Sequence, residues 1–170
     1  KAFESIQKVE KNYGDKVRMV FKHYPLPFHK QAKPAARVAM AAGEQGKFWE
    51  MHDKLFNNQK KFKGGGVEDL GATWAKEMGL DVEKFKKDLK NNASQYNKTI
   101  DQEMQQGKKL GVKGTPHFLI NGKAISGAQP YSKFKSIIES ELDAAQKSLK
   151  GGAKRSNIYQ KRVAENFQKP

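Results

Sequence analysis

Apolar residues in the first thirteen positions recur at helical spacing. Phe3, Ile6, Val9 and Tyr13 fall on one face, and Gly14 is a natural C-terminal stop. The period then changes. In "KVRMVFKHYPLP", Val17, Met19 and Phe21 alternate with Arg18, Val20 and Lys22, which predicts a strand over 17–22 that Pro25 and Pro27 end. A long helical region follows. "KPAARVAMAAGEQ" is Ala-rich, with Pro34 suited to a first helical turn. "KFWEMHDKLFNN" sets Phe48, Met51 and Leu55, beside Trp49 and Phe56, on a wide apolar stripe. Past the glycines of "KGGG", "VEDLGATWAKEMG" reads as another helix. Asp81 caps "DVEKFKKDLKNN", and "YNKTIDQEMQQGKKLG" continues the helical period.

Strand signals return at "HFLI" and "KAIS", joined through Asn121-Gly122, the strongest short hairpin signal. Gln129-Pro130 opens a long helix with Tyr131, Phe134, Ile137, Ile138, Leu142 and Leu149 along its inner face. "GGAKR" reads as a hinge, and "SNIYQKRVAENF" as a basic amphipathic helix with Ile158, Tyr159, Val163 and Phe167 on one stripe. The order is an α/β pattern with a helical insertion and no internal repeat.

Composition narrows the chemistry. The 170 residues are 36% hydrophobic, with ten Phe, five Tyr and two Trp, which fits a globular fold. No apolar run approaches the roughly 18 residues of a membrane span. Lys and Arg outnumber Asp and Glu by 33 to 18, for a net charge of +15, so anionic partners come into question. The lysines are spread along the whole length, however, as on solvated helix faces. No aromatic-basic RNA motif or zinc spacing accompanies them, so no specific nucleic-acid binding is expected.

Zero cysteine excludes a disulfide framework, thiolate catalysis and Cys-ligated metal within these residues. The four histidines, His23, His29, His52 and His117, show no i, i+4 helical pair with a completing carboxylate, so no metal site is expected. Trp49, Trp74, Phe48 and Phe56 read as core of the helical insertion or as the border of a peptide groove. Asn92-Ala93-Ser94 and Asn97-Lys98-Thr99 match the glycosylation acceptor pattern, a common coincidence. No Ser-His-Asp arrangement, phosphate loop or dinucleotide fingerprint is present.

Four blocks in this order carry a family resemblance: "VFKHYPLPFH" at 20–29, "AARVAMAAGEQGKFWEMHDKLF" at 35–56, "GVKGTPHFLING" at 111–122 and "SGAQPYSKFKSIIESEL" at 126–142. Over about residues 1–142 the chain resembles the DsbA-like branch of the thioredoxin superfamily. The resemblance implies a thioredoxin-like α/β fold over 1–150 with a helical insertion at about 29–110. Residues 151–170 would be a C-terminal helix or a linker to a further segment. It also implies a Cys-Pro-x-Cys segment, and the strand leading into it, just upstream of Lys1. That strand would lie between the strand at 17–22 and the hairpin at 117–126. Each unpaired buried backbone group costs about 1–3 kcal/mol, so losing a central strand would rival the roughly 5–15 kcal/mol stability of a domain. The expectation is that these residues are not a complete folding unit.

The resemblance further implies a cis bond between Thr115 and Pro116, with Gly114, Thr115, Pro116 and His117 forming a substrate-binding loop opposite the catalytic cysteines. From the residues alone, Gly114-Thr115-Pro116 reads first as a rigid turn that ends a helix and launches a strand, and His117 as a polar strand start rather than a group that tunes a nearby thiolate. The implied function is thiol–disulfide exchange in secreted proteins, inactive in these residues by themselves because the cysteines are absent. Partners would be extended, cysteine-bearing polypeptides and a membrane redox protein, in a periplasmic or other extracytoplasmic compartment, with no cofactor and no metal. Two other readings stand beside it: a redox-inactive thioredoxin-fold module that holds peptides, and a basic protein that binds anionic polymers.

Overall fold

A computed structural model describes residues 2–167. Lys1 and residues 168–170, the outer ends of the 1–150 domain and of the 151–170 segment, lie outside the described residues. Eight helices and one hairpin are described: α1 (Ala2–Tyr13), α2 (Ala32–Gly43), α3 (Phe48–Asn57), α4 (Val67–Glu77), α5 (Val82–Asn91), α6 (Ala93–Lys109), β1 (His117–Ile120), β2 (Lys123–Ser126), α7 (Tyr131–Lys150) and α8 (Ile158–Phe167). Short 3-10 turns lie at Gln59–Phe62 and Arg155–Asn157. The chain divides into a terminal unit, built from residues up to Val20 and from Gly114 onward, and a helical unit, Phe21–Lys113.

In the terminal unit the pattern of i, i+4 apolar positions becomes a core. Val9 and Tyr13 of α1 meet Phe134 and Ile138 of α7 and Ile125 of β2, because residues four apart share one helix face. Phe118 reaches the same layer, with its ring edge-on to Phe134 at 4.9 Å. The hairpin pairs His117 with Ser126, Phe118 with Ile125, Leu119 with Ala124 and Ile120 with Lys123. Its turn needs two left-handed residues, which Asn121 (φ 49°) and Gly122 (φ 93°) supply.

In the helical unit, α2 runs through the core with Val38, Ala39, Ala41 and Ala42 all buried. Its small residues let neighbours close in. A Cβ on Gly71 of α4 would stand only 2.7 Å from the Val38 Cγ1. Asp81 caps α5 as expected, its carboxylate accepting the Lys84 amide at 2.9 Å. Trp74 is core at 4% exposed, whereas Trp49 and Phe56 reach the surface at 39% and 42%. The expected aromatic core is therefore divided between interior and rim.

The strand predicted over 17–22 is absent. Residues 17–26 carry no regular structure, and the sheet described has two strands, β1 and β2. The alternation itself persists: Val17, Met19, Phe21 and His23 are wholly or partly buried, and Arg18, Val20 and Lys22 are exposed. A period of two sets which side chains turn inward, but a strand also needs a neighbour for its backbone groups. The described sheet offers this segment none.

Candidate functional site

The Gly114–His117 loop lies wholly within the terminal unit and leads straight into β1. The Thr115–Pro116 peptide is cis. Thr115 is exposed, while Gly114, Pro116 and His117 are partly buried. The hairpin register explains what the proline does there. A two-residue turn makes Ile120 and Lys123 the closing hydrogen-bonded pair, and such pairs recur at every second position in an antiparallel ladder. Phe118–Ile125 is the next such pair, and Pro116–Gly127 the one after.

The Gly127 amide does donate to the Pro116 carbonyl, at 2.9 Å. Proline has no N–H to return. The donor missing from this ladder is therefore aimed at β2, not at the outer edge of β1. On that outer edge stand the N–H and C=O groups of His117 and Leu119. None of these groups has a backbone partner among the described residues, and Leu119 is 38% exposed. The outer edge of β2 is treated differently, because the Ser126 carbonyl accepts from the Gln129 side chain at 3.0 Å.

The same bend connects to α1. The buried Ser5 hydroxyl, in the first turns of α1, donates to the Gln129 carbonyl at 3.1 Å. Hydrogen bonds thus join the open end of the hairpin, the 126–129 bend and the start of α1. Neither Ser5 nor Gln129 was foreseen as a site residue. A serine among Phe3, Ile6 and Val9 was the available signal. His117 Nε2 is buried without a hydrogen-bond partner, so this ring is more enclosed than a polar strand start requires.

Chemically, this arrangement offers backbone groups for an extended chain, in a unit whose bend after β2 is tied to the first turns of α1. The 170 residues supply no cysteine thiol. His23 and His52 are in the helical unit, where both pack edge-on against the Phe21 ring, at 5.2 and 4.8 Å, and His29 is exposed. Among the described residues no group of three or more His, Asp or Glu side chains could hold a metal ion. No helix among them is long and apolar enough to cross a membrane.

Comparison with known proteins agrees with this geometry at the level of the family. The pattern of the family described as Thioredoxin matches residues 1–140. Among curated proteins, the chain is similar to Na(+)/H(+) antiporter NhaA 1 of Mycobacterium sp. (strain KMS), 31% identical over 128 residues, covering 75% of this chain and 20% of that protein. It is likewise similar to Na(+)/H(+) antiporter NhaA 3 of Salinispora tropica, 31% identical over 137 residues, covering 80% of this chain and 20% of that protein. A third relative, Na(+)/H(+) antiporter NhaA of Herminiimonas arsenicoxydans, is 30% identical over 128 residues, covering 75% and 19%. The chain spans about a fifth of the length of these relatives. No solved structure matches. With its helix, cis-proline loop, hairpin and closing helix in this order, the chain belongs to the thioredoxin family.

Proposed function

We propose that this thioredoxin-family domain is DsbA-like and serves thiol–disulfide exchange on extended, cysteine-bearing polypeptides. Its sulfur would come from a cysteine pair outside these 170 residues, ahead of α1. The observation that carries this reading is the loop ending in Pro116, with Thr115 exposed, at the open end of the hairpin in a chain of this family. A substrate backbone laid along the loop would gain main-chain hydrogen bonds at Thr115 whatever its sequence, while the outward groups of His117 and Leu119 are left for the strand that leads into the cysteine pair. That suits an enzyme acting on many polypeptides.

In the exchange, a thiolate at the start of α1 attacks one sulfur of a disulfide. A mixed disulfide forms and the other sulfur leaves as thiolate. The residues of this chain bind and orient. The helix start lowers the attacking thiol's pKa, and the Gly114–His117 loop holds the substrate backbone beside it. Such chemistry belongs to an oxidising, extracytoplasmic compartment, and a membrane redox protein would restore the cysteine pair. Ion antiport, named for relatives about five times longer, is not carried over to this chain.

The absence of cysteine from all 170 residues favours a second reading, a module that holds peptides without redox chemistry. The two separate in one experiment. The intact mass of the protein from its natural source is measured before and after reduction, each time followed by alkylation. Two alkyl groups added only after reduction support exchange. No alkyl group in either state leaves the peptide-holding module.

A further inference from the structure

Glu141 interrupts the apolar face of α7, three residues beyond Ile138, yet it is 2% exposed. A buried carboxylate must be paired to be tolerated, and this one is held from two elements. The Arg162 guanidinium of α8, 7% exposed, forks onto it, with Nε 3.1 Å from Oε2 and Nη2 3.0 Å from Oε1. Lys123, the first residue of β2, places its Nζ 2.8 Å from Oε1. Asn121, in the hairpin turn, donates from Nδ2 to Oε2 at 3.3 Å.

A second contact set lies beside it. One turn along α8 from Arg162, Asn166 donates from its Nδ2 to the Asn121 carbonyl at 2.8 Å. The Phe167 ring and the Val163 carbonyl pack where a Cβ on Gly122 would stand, each 3.3 Å from that point. Arg162 is itself steadied by Glu165. So α8 grips both turn residues and, through one carboxylate, the start of β2. This helix lies beyond the residues 1–140 that the family pattern matches.

We propose that Arg162 is a positioning residue for the Gly114–His117 loop, acting through Glu141 and Asn121 on the hairpin turn. The proposal rests on the reading of that loop as the peptide-binding site. The physical need is specific. Strands of four residues are marginal on their own. At the open end Pro116 accepts one ladder bond and cannot donate the other, so that end holds the register weakly. A slip of one residue would turn the outward groups of His117 and Leu119 toward β2. The turn end must therefore fix the register, and α8 is what clamps it.

Hydrogen exchange in the 170-residue chain tests this. In Arg162→Leu, the amides of Gly127 and Phe118 should exchange at least about tenfold faster, while those of Val9 and Tyr13 in the same unit change by less than about threefold. Asn166→Ala removes the bond to the turn and a hydrogen bond to the Glu141 carboxylate while keeping the Arg162 fork, and should accelerate the same hairpin amides about fivefold, which keeps the test alive if Arg162→Leu fails to fold. Equal acceleration throughout the unit would make α8 a general stabiliser and overturn the proposal, as would no acceleration at the hairpin. A short extended peptide with a central S-methylcysteine supplies the functional arm, its affinity falling about tenfold in Arg162→Leu. If the unaltered protein does not bind that peptide, the loop reading fails, while the exchange rates still decide the role of Arg162.

Discussion

The Gly127 amide donates to the Pro116 carbonyl at 2.9 Å, closing the hairpin at the position where proline can return no bond. Gly127 holds φ at 77°, and a Cβ there would meet nothing nearer than the Gln129 amide nitrogen at 3.9 Å. A side chain at this position is opposed by backbone conformation alone. Gly127→Ala should destabilise the terminal unit by about 1–2 kcal/mol, read from urea unfolding followed by a hairpin amide. Gly127→Asn should recover part of that loss, since asparagine tolerates left-handed backbone better than alanine. Equal stability of all three proteins would contradict this account of the bend.

Glu141 should impose an acid limb on stability. Burial by itself raises its pKa, but hydrogen bonds from Arg162, Lys123, Asn121 and Asn166 outweigh that and lower it from 4.5 to about 2. The unfolded chain therefore takes up this proton more readily than the folded one, and the contribution is complete above the unfolded pKa. It should be lost as pH falls from 4.5 to about 2. Glu141→Gln should lack that limb, and at neutral pH it should lose about 3 kcal/mol, because Arg162 then stays buried without the carboxylate it forks onto and keeps only the half-exposed Glu165. Denaturant unfolding from acid to neutral pH checks both.

In the helical unit, Gly71 and Val38 form a size-matched pair across α4 and α2. A methyl group at Gly71 would approach the Val38 Cγ1 to 2.7 Å and the Phe85 ring to 3.4 Å. Gly71→Ala should cost about 1–3 kcal/mol through overpacking, despite alanine's better helix propensity. Gly71→Ala combined with Val38→Ala should show positive coupling, losing less than the sum of the two single changes. Additive losses would mean that the clash is relieved elsewhere.

His23 should titrate below the ordinary histidine range. Burial is the leading cause; nearby Glu103 opposes it, while His52 and Lys22 push further down. A histidine whose folded pKa lies below its unfolded value of 6.5 makes the unfolded state the stronger proton binder. The helical unit should thus lose stability as pH falls below 6.5 toward the folded pKa. The His23 ring-proton shift followed by NMR gives the midpoint directly, and a value above 6.5 would refute the assignment. His23→Phe, which keeps a ring against Phe21 and Phe48, should remove this pH dependence.

Local chemistry was legible where it is self-sufficient. Asn121-Gly122 announced the hairpin because only a few residue types tolerate two consecutive left-handed positions, and both are left-handed here. The i, i+4 spacing of Val9 with Tyr13 and Phe134 with Ile138 named the core of the terminal unit. Thr115-Pro116 drew notice through family likeness, not through periodicity. What could not be read depends on distant partners. The 17–22 segment keeps its alternation but gains no ladder, since pairing is decided outside the segment. Ser5 and Gln129 are 124 residues apart in sequence, and nothing local joins them. Glu141 and Arg162 are 21 residues apart and nothing local pairs them, although a carboxylate on the apolar face of α7 was the visible clue.

The most direct test of the central claim follows backbone amides of the isotopically labelled protein during titration with a short extended peptide carrying a central S-methylcysteine. Saturable shifts are expected at Gly114, Thr115 and His117, persisting at high salt, with the Gly127 amide still protected by Pro116. Shifts confined to lysine-rich helix faces and abolished by salt would contradict the claim, and would assign the protein to anionic polymers instead.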